Sequence, residues 1–315
     1  MAEGTVAWIF PGQGAQEVGM GHDLFDGSSA ARHVFETADR VLGYSISELC
    51  FQGPAERLQE TQYAQPAIFT ASLACLEAAR EQGALSPETP SFVAGHSLGE
   101  FTALVAAQAL SLEDGLRLVS ERGRLMQDAA QQNPGAMAAL LGLDEAAVSA
   151  ICQEAGAEVC NLNAPGQVVI GGTSRAVEAA MALALERGAQ RGVRLKVSGA
   201  FHTSHVVSAA EGMARAVAGA PLRDPRVPII ANTTGAPLTT AEALREELVQ
   251  QLTQPVLWQR SVETMRARGV AGVIEFGPGR VLTGLVRRID RSLAVRNVSD
   301  LASARSQASP APAPP

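Results

Sequence analysis

The stretch Phe92-Val-Ala-Gly-His-Ser-Leu-Gly-Glu-Phe-Thr-Ala-Leu-Val105 limits what this chain can fold into more than any other. A short apolar run ends at Gly95, a G-x-S-x-G motif follows as Gly95-His96-Ser97-Leu98-Gly99, and an Ala/Leu-rich helical segment begins. Strand, sharp turn and helix in that order are the context a nucleophile elbow requires. The two glycines remove Cβ atoms where backbones crowd, which lets Ser97 sit strained at the tip with Oγ exposed. The start of the helix aims free N–H groups at any anion that forms there. The competing reading is an ordinary strand–helix turn with a serine N-cap.

Around this stretch the chain alternates strands and helices. Val6–Phe10 is expected as a buried strand running into the glycine-rich turn Pro11-Gly-Gln-Gly-Ala-Gln16. Helices are expected near 30–42 and 66–82 and over Leu112–Ala130, the last stopped by Asn133-Pro134-Gly135. A distinct block follows: a strand at Ala136–Leu143, a helix at Asp144–Ala155, strands at Glu158–Asn163 and Gln167–Gly171, a helix at Ser174–Arg187 capped by Ser174, and a last strand at Arg194–Ser198. That βαββαβ order is the ferredoxin-like pattern. Further on, 205–219, 239–252 and 256–268 read as helices and Val227–Ala231 and Val270–Phe276 as strands, with Gly277-Pro-Gly279 opening a short helix. Strands separated by helices imply a mostly parallel sheet. The expected division is an α/β core from 1–130 and 200–300, a ferredoxin-like subdomain at 131–199, and a disordered Pro/Ala-rich tail at 301–315.

Composition excludes several function classes. The net charge of −7 comes with no basic tract, which argues against nucleic-acid binding; Lys196 is the single lysine, which reflects codon or lineage bias before function. Cys50, Cys75, Cys152 and Cys160 form no C-x-x-C and have no matching histidine spacing, so neither a zinc site nor a disulfide framework is indicated. Reduced thiols, no signal-peptide pattern and no apolar run long enough to span a bilayer lead to the expectation of a cytoplasmic protein with no membrane contact.

A serine nucleophile needs a base, and the chain has five histidines. His96 adjoins Ser97 and its side chain must diverge there, while His22 and His33 lie in a polar N-terminal region. His202 sits in Ser198-Gly-Ala-Phe-His-Thr-Ser-His205, at a strand end where α/β sites are built, and is favoured over His205, which falls at a helix start. No histidine follows His205, whereas an α/β-hydrolase runs Ser, Asp/Glu, His along the chain. Arg122 is the second clue: at helical spacing its neighbours are Leu118, Val119, Leu125 and Met126, so it projects from an apolar stripe, while Arg117 and Arg124 share a solvated face. A guanidinium there needs a partner, either an internal carboxylate or a substrate carboxylate held bidentately. The Phe10–Gln16 turn lacks the Walker lysine and is better placed to complete an oxyanion hole with the N–H of Leu98.

Six motifs in order, Phe10-Pro-Gly-Gln-Gly-Ala-Gln16, Gly95-His-Ser-Leu-Gly-Glu100, Arg122-Gly123, Ala200-Phe-His202, Gln251-Leu-Thr-Gln-Pro-Val256 and Glu275-Phe-Gly-Pro-Gly279, resemble those of malonyl-CoA:acyl carrier protein transacylases and the related acyltransferase domains of polyketide and animal fatty acid synthases. The likeness covers about residues 5–295. It implies an α/β-hydrolase-like core with a ferredoxin-like insertion, Ser97 as nucleophile, His202 as base oriented by the backbone carbonyl of Gln251, Gln13 and Leu98 at the oxyanion hole, and Arg122 on the malonyl carboxylate. Ala200-Phe201-His202 is similar to malonyl-selective members, and a large Phe201 would crowd an α-methyl group. Thr203-Ser204-His205 departs from the Ser-Pro-Leu common in synthase domains. The implied partners are malonyl-CoA as substrate, with no permanently bound cofactor, and a phosphopantetheinylated acyl carrier protein; a monomer is expected. Arg187, Arg191, Arg194, Lys196, Arg280, Arg287 and Arg288 are candidates for docking that acidic carrier. The alternatives are a trans-acting polyketide synthase acyltransferase, a serine thioesterase or hydrolase, and a non-catalytic docking module using the Pro-rich tail.

Overall fold

A computed structural model describes residues 5–85, 89–197 and 199–306. Its strands are β1 (Thr5–Phe10), β2 (Phe92–Gly95), β3 (Ala136–Leu141), β4 (Glu158–Ala164), β5 (Gln167–Gly172), β6 (Arg191–Arg194), β7 (Ile229–Ile230), β8 (Pro237–Leu238), β9 (Val270–Phe276) and β10 (Ala294–Val298). They form two sheets. The larger runs β10-β9-β1-β2-β7-β8 and is parallel except for the β7–β8 pair.

Both faces of the large sheet are covered, which is why its central strands are mostly apolar. Val6, Trp8 and Phe10 of β1 join one core with residues of helices Ser29–Leu42, Thr61–Glu81 and Leu112–Gln132. Ala7 and Ile9 point the other way, into a second core with helices Trp258–Ala267 and Val281–Ile289. β1 and β2 pair with Phe10 opposite Gly95, so their C-terminal ends lie level and the turn after β1 lies beside the Ser97 elbow.

The smaller sheet, β4-β5-β3-β6, is antiparallel throughout, the strand order of a ferredoxin-like unit. Helices Glu145–Ala155 and Ser174–Glu186 share with it a third core. Two hydrogen bonds stitch β4 to the segment before helix Trp258–Ala267: Leu162 N to Val256 O and Val256 N to Cys160 O, each 2.9 Å.

Several elements differ from their sequence-based expectations. The strand expected at Arg194–Ser198 is β6, Arg191–Arg194, because its partner β3 begins at Ala136 and only Leu195 N finds a further acceptor, Met137 O at 2.9 Å. Ser198 lies outside the described residues. Thr173, not Ser174, caps its helix, accepting from Ala176 N. The strand expected at Val227–Ala231 shrinks to Ile229–Ile230: Pro228 has no N–H to give, and Ala231 N turns to Ala236 O. Helix 205–219 begins as a 3-10 turn at Ser204–Val206 and becomes α-helical at Val207. The helix expected from 66 starts at Thr61 and carries Pro66 inside it. The expected disordered tail at 301–315 instead begins with helix Leu301–Arg305, held by a capping box between Asp300 and Ser303; 307–315 lie outside the described residues. Strand β10 was absent from the sequence reading because Arg296 and Asn297 interrupt its apolar run, yet the Arg296 guanidinium reaches the Ala84 and Ser303 carbonyls.

Candidate active site

The elbow is built by its glycines. A Cβ on Gly95 would lie 1.8 Å from the carbonyl carbon of Gly99, and one on Gly99 would lie 2.1 Å from Phe10 O. With those contacts removed, the chain turns so sharply that Ser97 takes φ 51°, a left-handed conformation rare outside glycine. The strain is held from outside the turn. Ser97 N donates to Asn232 Oδ1 at 2.7 Å, and Asn232 Nδ2 donates to Gly95 O at 2.7 Å. Asn232 thus braces both sides of the elbow from the loop after β7.

Ser97 Oγ lies 2.7 Å from His202 Nε2, and His202 Nδ1 lies 2.7 Å from Gln251 O. The carbonyl can only accept, so Nδ1 carries the proton and Nε2 is left as the acceptor for the serine hydroxyl. His202 is buried at φ 61°, a second strained residue at the same point. Burial first, and the Arg122 charge second, push its pKa down to about 3, so the imidazole is neutral. The histidine does not directly follow a strand, as its sequence neighbours suggested; β6 ends at Arg194, and His202 comes from the irregular segment before the 3-10 turn.

Arg122 lies 1% exposed on helix Leu112–Gln132 and reaches the same point. Its Nη2 donates to Ser97 Oγ at 3.1 Å and to Gln251 Oε1 at 2.8 Å, its Nη1 donates to Gln65 Oε1 at 2.6 Å, and its guanidinium stacks on Phe101, 5.0 Å from the ring centroid. Nε is buried with no hydrogen-bond partner, and no carboxylate of the described residues lies within ion-pair distance of the guanidinium. Burial lowers its pKa, opposed by the negative charge of Glu100. The internal ion pair open at the sequence level is therefore not what satisfies Arg122: neutral amides and a hydroxyl hold it, and its charge remains available to an incoming anion.

Leu98 follows Ser97 at the N-terminus of helix Gly99–Ala106. Gln13 lies in the turn after β1; its neighbour Gly12 packs so tightly that a Cβ there would meet His96 O at 2.4 Å, and the Gln13 side chain donates to Thr61 Oγ1 at 3.2 Å. Phe201 is buried against Gly199 in the main core, and the aromatic ring that touches Arg122 is Phe101. His96 diverges from the elbow, with Nε2 2.8 Å from Asn163 Oδ1 on β4. Arg117 and Arg124 form surface ion pairs with Asp114, Glu121 and Asp128. Among the docking candidates, Arg187 and Arg194 pair with Glu154 and Glu178, and Arg288 donates to Gln167, while Arg191, Lys196, Arg280 and Arg287 are exposed.

Sequence reasoning missed four polar residues that complete the arrangement: Gln65, Glu100, Asn163 and Asn232. Asn232 follows a predicted strand, the same strand-end rule that found His202, and could have been found by it. Gln65 carries no local signal, because its importance lies in breaking the apolar surface of a helix wholly buried around it. Among the described residues no group of three or more His, Cys, Asp or Glu could hold a metal ion, and no helix is long and apolar enough to cross a membrane.

A serine hydroxyl shared by a neutral imidazole and a buried guanidinium suits acyl transfer from a substrate with a free carboxylate. Comparison with known proteins agrees: the family described as an acyl transferase domain matches residues 7–308. The chain belongs to this family. A relative named malonyl CoA-acyl carrier protein transacylase, from Bacillus subtilis, is 43% identical over 300 residues, 94% of this chain and 93% of that protein. The crystal structure of an acyl-carrier-protein-S-malonyltransferase from Bartonella henselae superposes with a TM-score of 0.92 at 41% identity, covering 95% of this chain and 97% of the other. A malonyl-transacylase solved in complex with its type II PKS acyl-carrier protein gives a TM-score of 0.92 at 39% identity, covering 96% and 98%. In this acyl transferase the histidine precedes its orienting group in the chain, and that group is a backbone carbonyl rather than a carboxylate. It departs in both respects from the Ser, Asp/Glu, His order of the α/β-hydrolases.

Proposed function

We propose that this acyltransferase moves a malonyl group from malonyl-CoA to the phosphopantetheine thiol of an acyl carrier protein through a malonyl ester on Ser97, supplying extender units for fatty acid synthesis. The observation that carries the reading is the sharing of Ser97 Oγ between His202 Nε2 and Arg122 Nη2. His202 Nε2 takes the hydroxyl proton as Oγ attacks the thioester carbonyl carbon. The backbone N–H groups of Leu98 and Gln13 receive the oxyanion; the N–H of Ser97 itself is occupied by Asn232. Collapse breaks the C–S bond, and the CoA sulfur leaves with the proton from His202. In the second half the carrier thiol gives its proton to His202, its sulfur attacks the ester, and Ser97 Oγ recovers the proton as the C–O bond breaks.

Arg122 binds the free carboxylate of the malonyl group through its guanidinium. That contact also bears on the base. Arg122 lowers the proton affinity of His202, so a carboxylate that neutralises Arg122 raises it again at the moment the proton must move. Acetyl-CoA brings no such charge. Phe201 limits the acyl group on the His202 side. The protein works in the cytoplasm as a monomer, with no permanent cofactor, and takes the carrier on the exposed Arg191, Lys196, Arg280 and Arg287. Incubation with malonyl-CoA followed by peptide mass mapping should place one malonyl group on Ser97. A label elsewhere would reject the scheme, and CoA release that ignores added carrier protein would make the protein a hydrolase.

A further inference from the structure

Glu100 is fully buried one residue into helix Gly99–Ala106, and no basic side chain of the described residues lies within ion-pair distance of it. A carboxyl in that place costs folding free energy unless its oxygens are satisfied. They are, by two groups that belong to the site. Oε1 accepts from Asn232 N at 3.0 Å, and Oε2 accepts from Gln251 Nε2. Both partners are pure donors at these atoms, so the ionised carboxylate is the form they complement. We propose that Glu100 is a positioning residue whose carboxylate fixes the Gln251 amide and the Asn232 loop, and through them holds Arg122 and Ser97 in register.

Gln251 Nε2 donates to Glu100 and to Ser97 O at 3.0 Å, which leaves Oε1 as the only end that can accept from Arg122 Nη2. Were the amide reversed, its NH2 would face the guanidinium and its oxygen would face the Ser97 carbonyl and Glu100, three like-signed contacts in conflict. Glu100 therefore decides which way Gln251 points, and Gln251 decides where the guanidinium sits. On the other side, Asn232 N is pinned by Glu100 while its side chain holds Ser97 N and Gly95 O. Burial and the Glu247 carboxylate raise the pKa of Glu100, and the donors from Asn232 and Gln251 oppose them. A purely structural role, neutralising the positive N-terminus of its own helix, would touch neither Gln251 nor Arg122.

The proposal rests on the reading that Arg122 takes the malonyl carboxylate, and the test separates the two. The full chain, Glu100→Gln, Gln251→Ala, their double variant and Arg122→Ala are compared for kcat/KM with malonyl-CoA and with acetyl-CoA, alongside thermal melting. In Glu100→Gln the carboxamide offers one oxygen and one NH2, so one of the two donors, Gln251 Nε2 or Asn232 N, loses its acceptor and that link to Arg122 or Ser97 loosens. The malonyl-over-acetyl ratio should fall about tenfold or more, as for loss of a hydrogen bond to a charged group, chiefly through KM. The double variant should fall no further than the worse single variant, since both act on one link. Equal losses for the two substrates, or additive losses in the double variant, would overturn the positioning role. If Glu100→Gln does not fold, Gln251→Ala alone reads the same link, and an unchanged ratio there overturns the proposal. A ratio unchanged in Arg122→Ala would instead defeat the carboxylate reading itself.

Discussion

Arg122 carries its charge into a place where only neutral atoms hydrogen-bond to it, and the proposed contact with the malonyl carboxylate would set what the site prefers. Arg122→Ala should lose malonyl transfer by a hundredfold or more, on the order of the 2–5 kcal/mol that truncating a desolvated charge partner costs, while acetyl transfer holds or rises; parallel assays with the two thioesters check it. The base makes a separate prediction. A histidine whose pKa is lowered to about 3 stays neutral in acid, so kcat/KM for Ser97 acylation, which reports the free enzyme, should remain flat from pH 8 down to pH 5 rather than halving near 6.5. Rapid-quench labelling across that range tests it. The meeting of Ser97, His202 and Arg122 was legible in the sequence because each stands out locally: a hydroxyl between two glycines, an imidazole in a loop where a strand was expected to end, a cation on an apolar stripe; the strand itself ends earlier, at Arg194. Glu100 and Gln251 were visible only as letters of motifs. The side-chain bond between them spans 151 residues, and no local pattern encodes a contact of that reach.

At the level of single elements, the elbow depends on a missing methyl group more than on any favourable contact. At Gly99 the obstacle to a Cβ is the backbone of β1 itself, Phe10 O at 2.1 Å, which no side-chain rotation can relieve. Gly99→Ala should therefore cost more than the roughly 1–3 kcal/mol usual for overpacking, seen as loss of soluble protein or a large drop in melting temperature. Strands whose expected runs are mostly apolar, β1, β2 and β9, were readable to within a residue of their observed ends. Those whose limits are set by a partner were not. β6 stops where β3 begins, β7 starts only after Pro228, which has no N–H to give, and β10 exists because β9 offers it an edge. The small sheet was recognisable as a pattern of element types, since the order βαββαβ survives errors of a few residues at each boundary.

Across the molecule, burial of titratable groups ties stability to pH in two opposed senses. His202 and His96 have pKa values lowered by burial, so below about 6.5 the unfolded chain binds protons that the folded chain refuses, and stability falls as the pH drops toward 3. Glu100, Glu247 and Glu275 have raised values, and their contribution is lost as the pH rises through those values. The histidine share can be isolated with His202→Asn, since asparagine tolerates the left-handed backbone at this position. The variant should gain on the parent by about 1.4 kcal/mol for each pH unit below 6.5, read from urea unfolding between pH 6.5 and 4.5; a constant difference would refute it. Finally, the proposed reacting pair is contributed by distant parts of the chain. Ser97 and His202 lie 105 residues apart, and the carbonyl that orients the histidine lies 49 further on, in a segment sewn to β4 at Val256. No contiguous fragment short of that span contains all three groups. Because contacts of such long sequence separation close late and slowly, recovered turnover in a refolding experiment works as a clock for the final docking of the chain, marking the moment when three distant segments first meet.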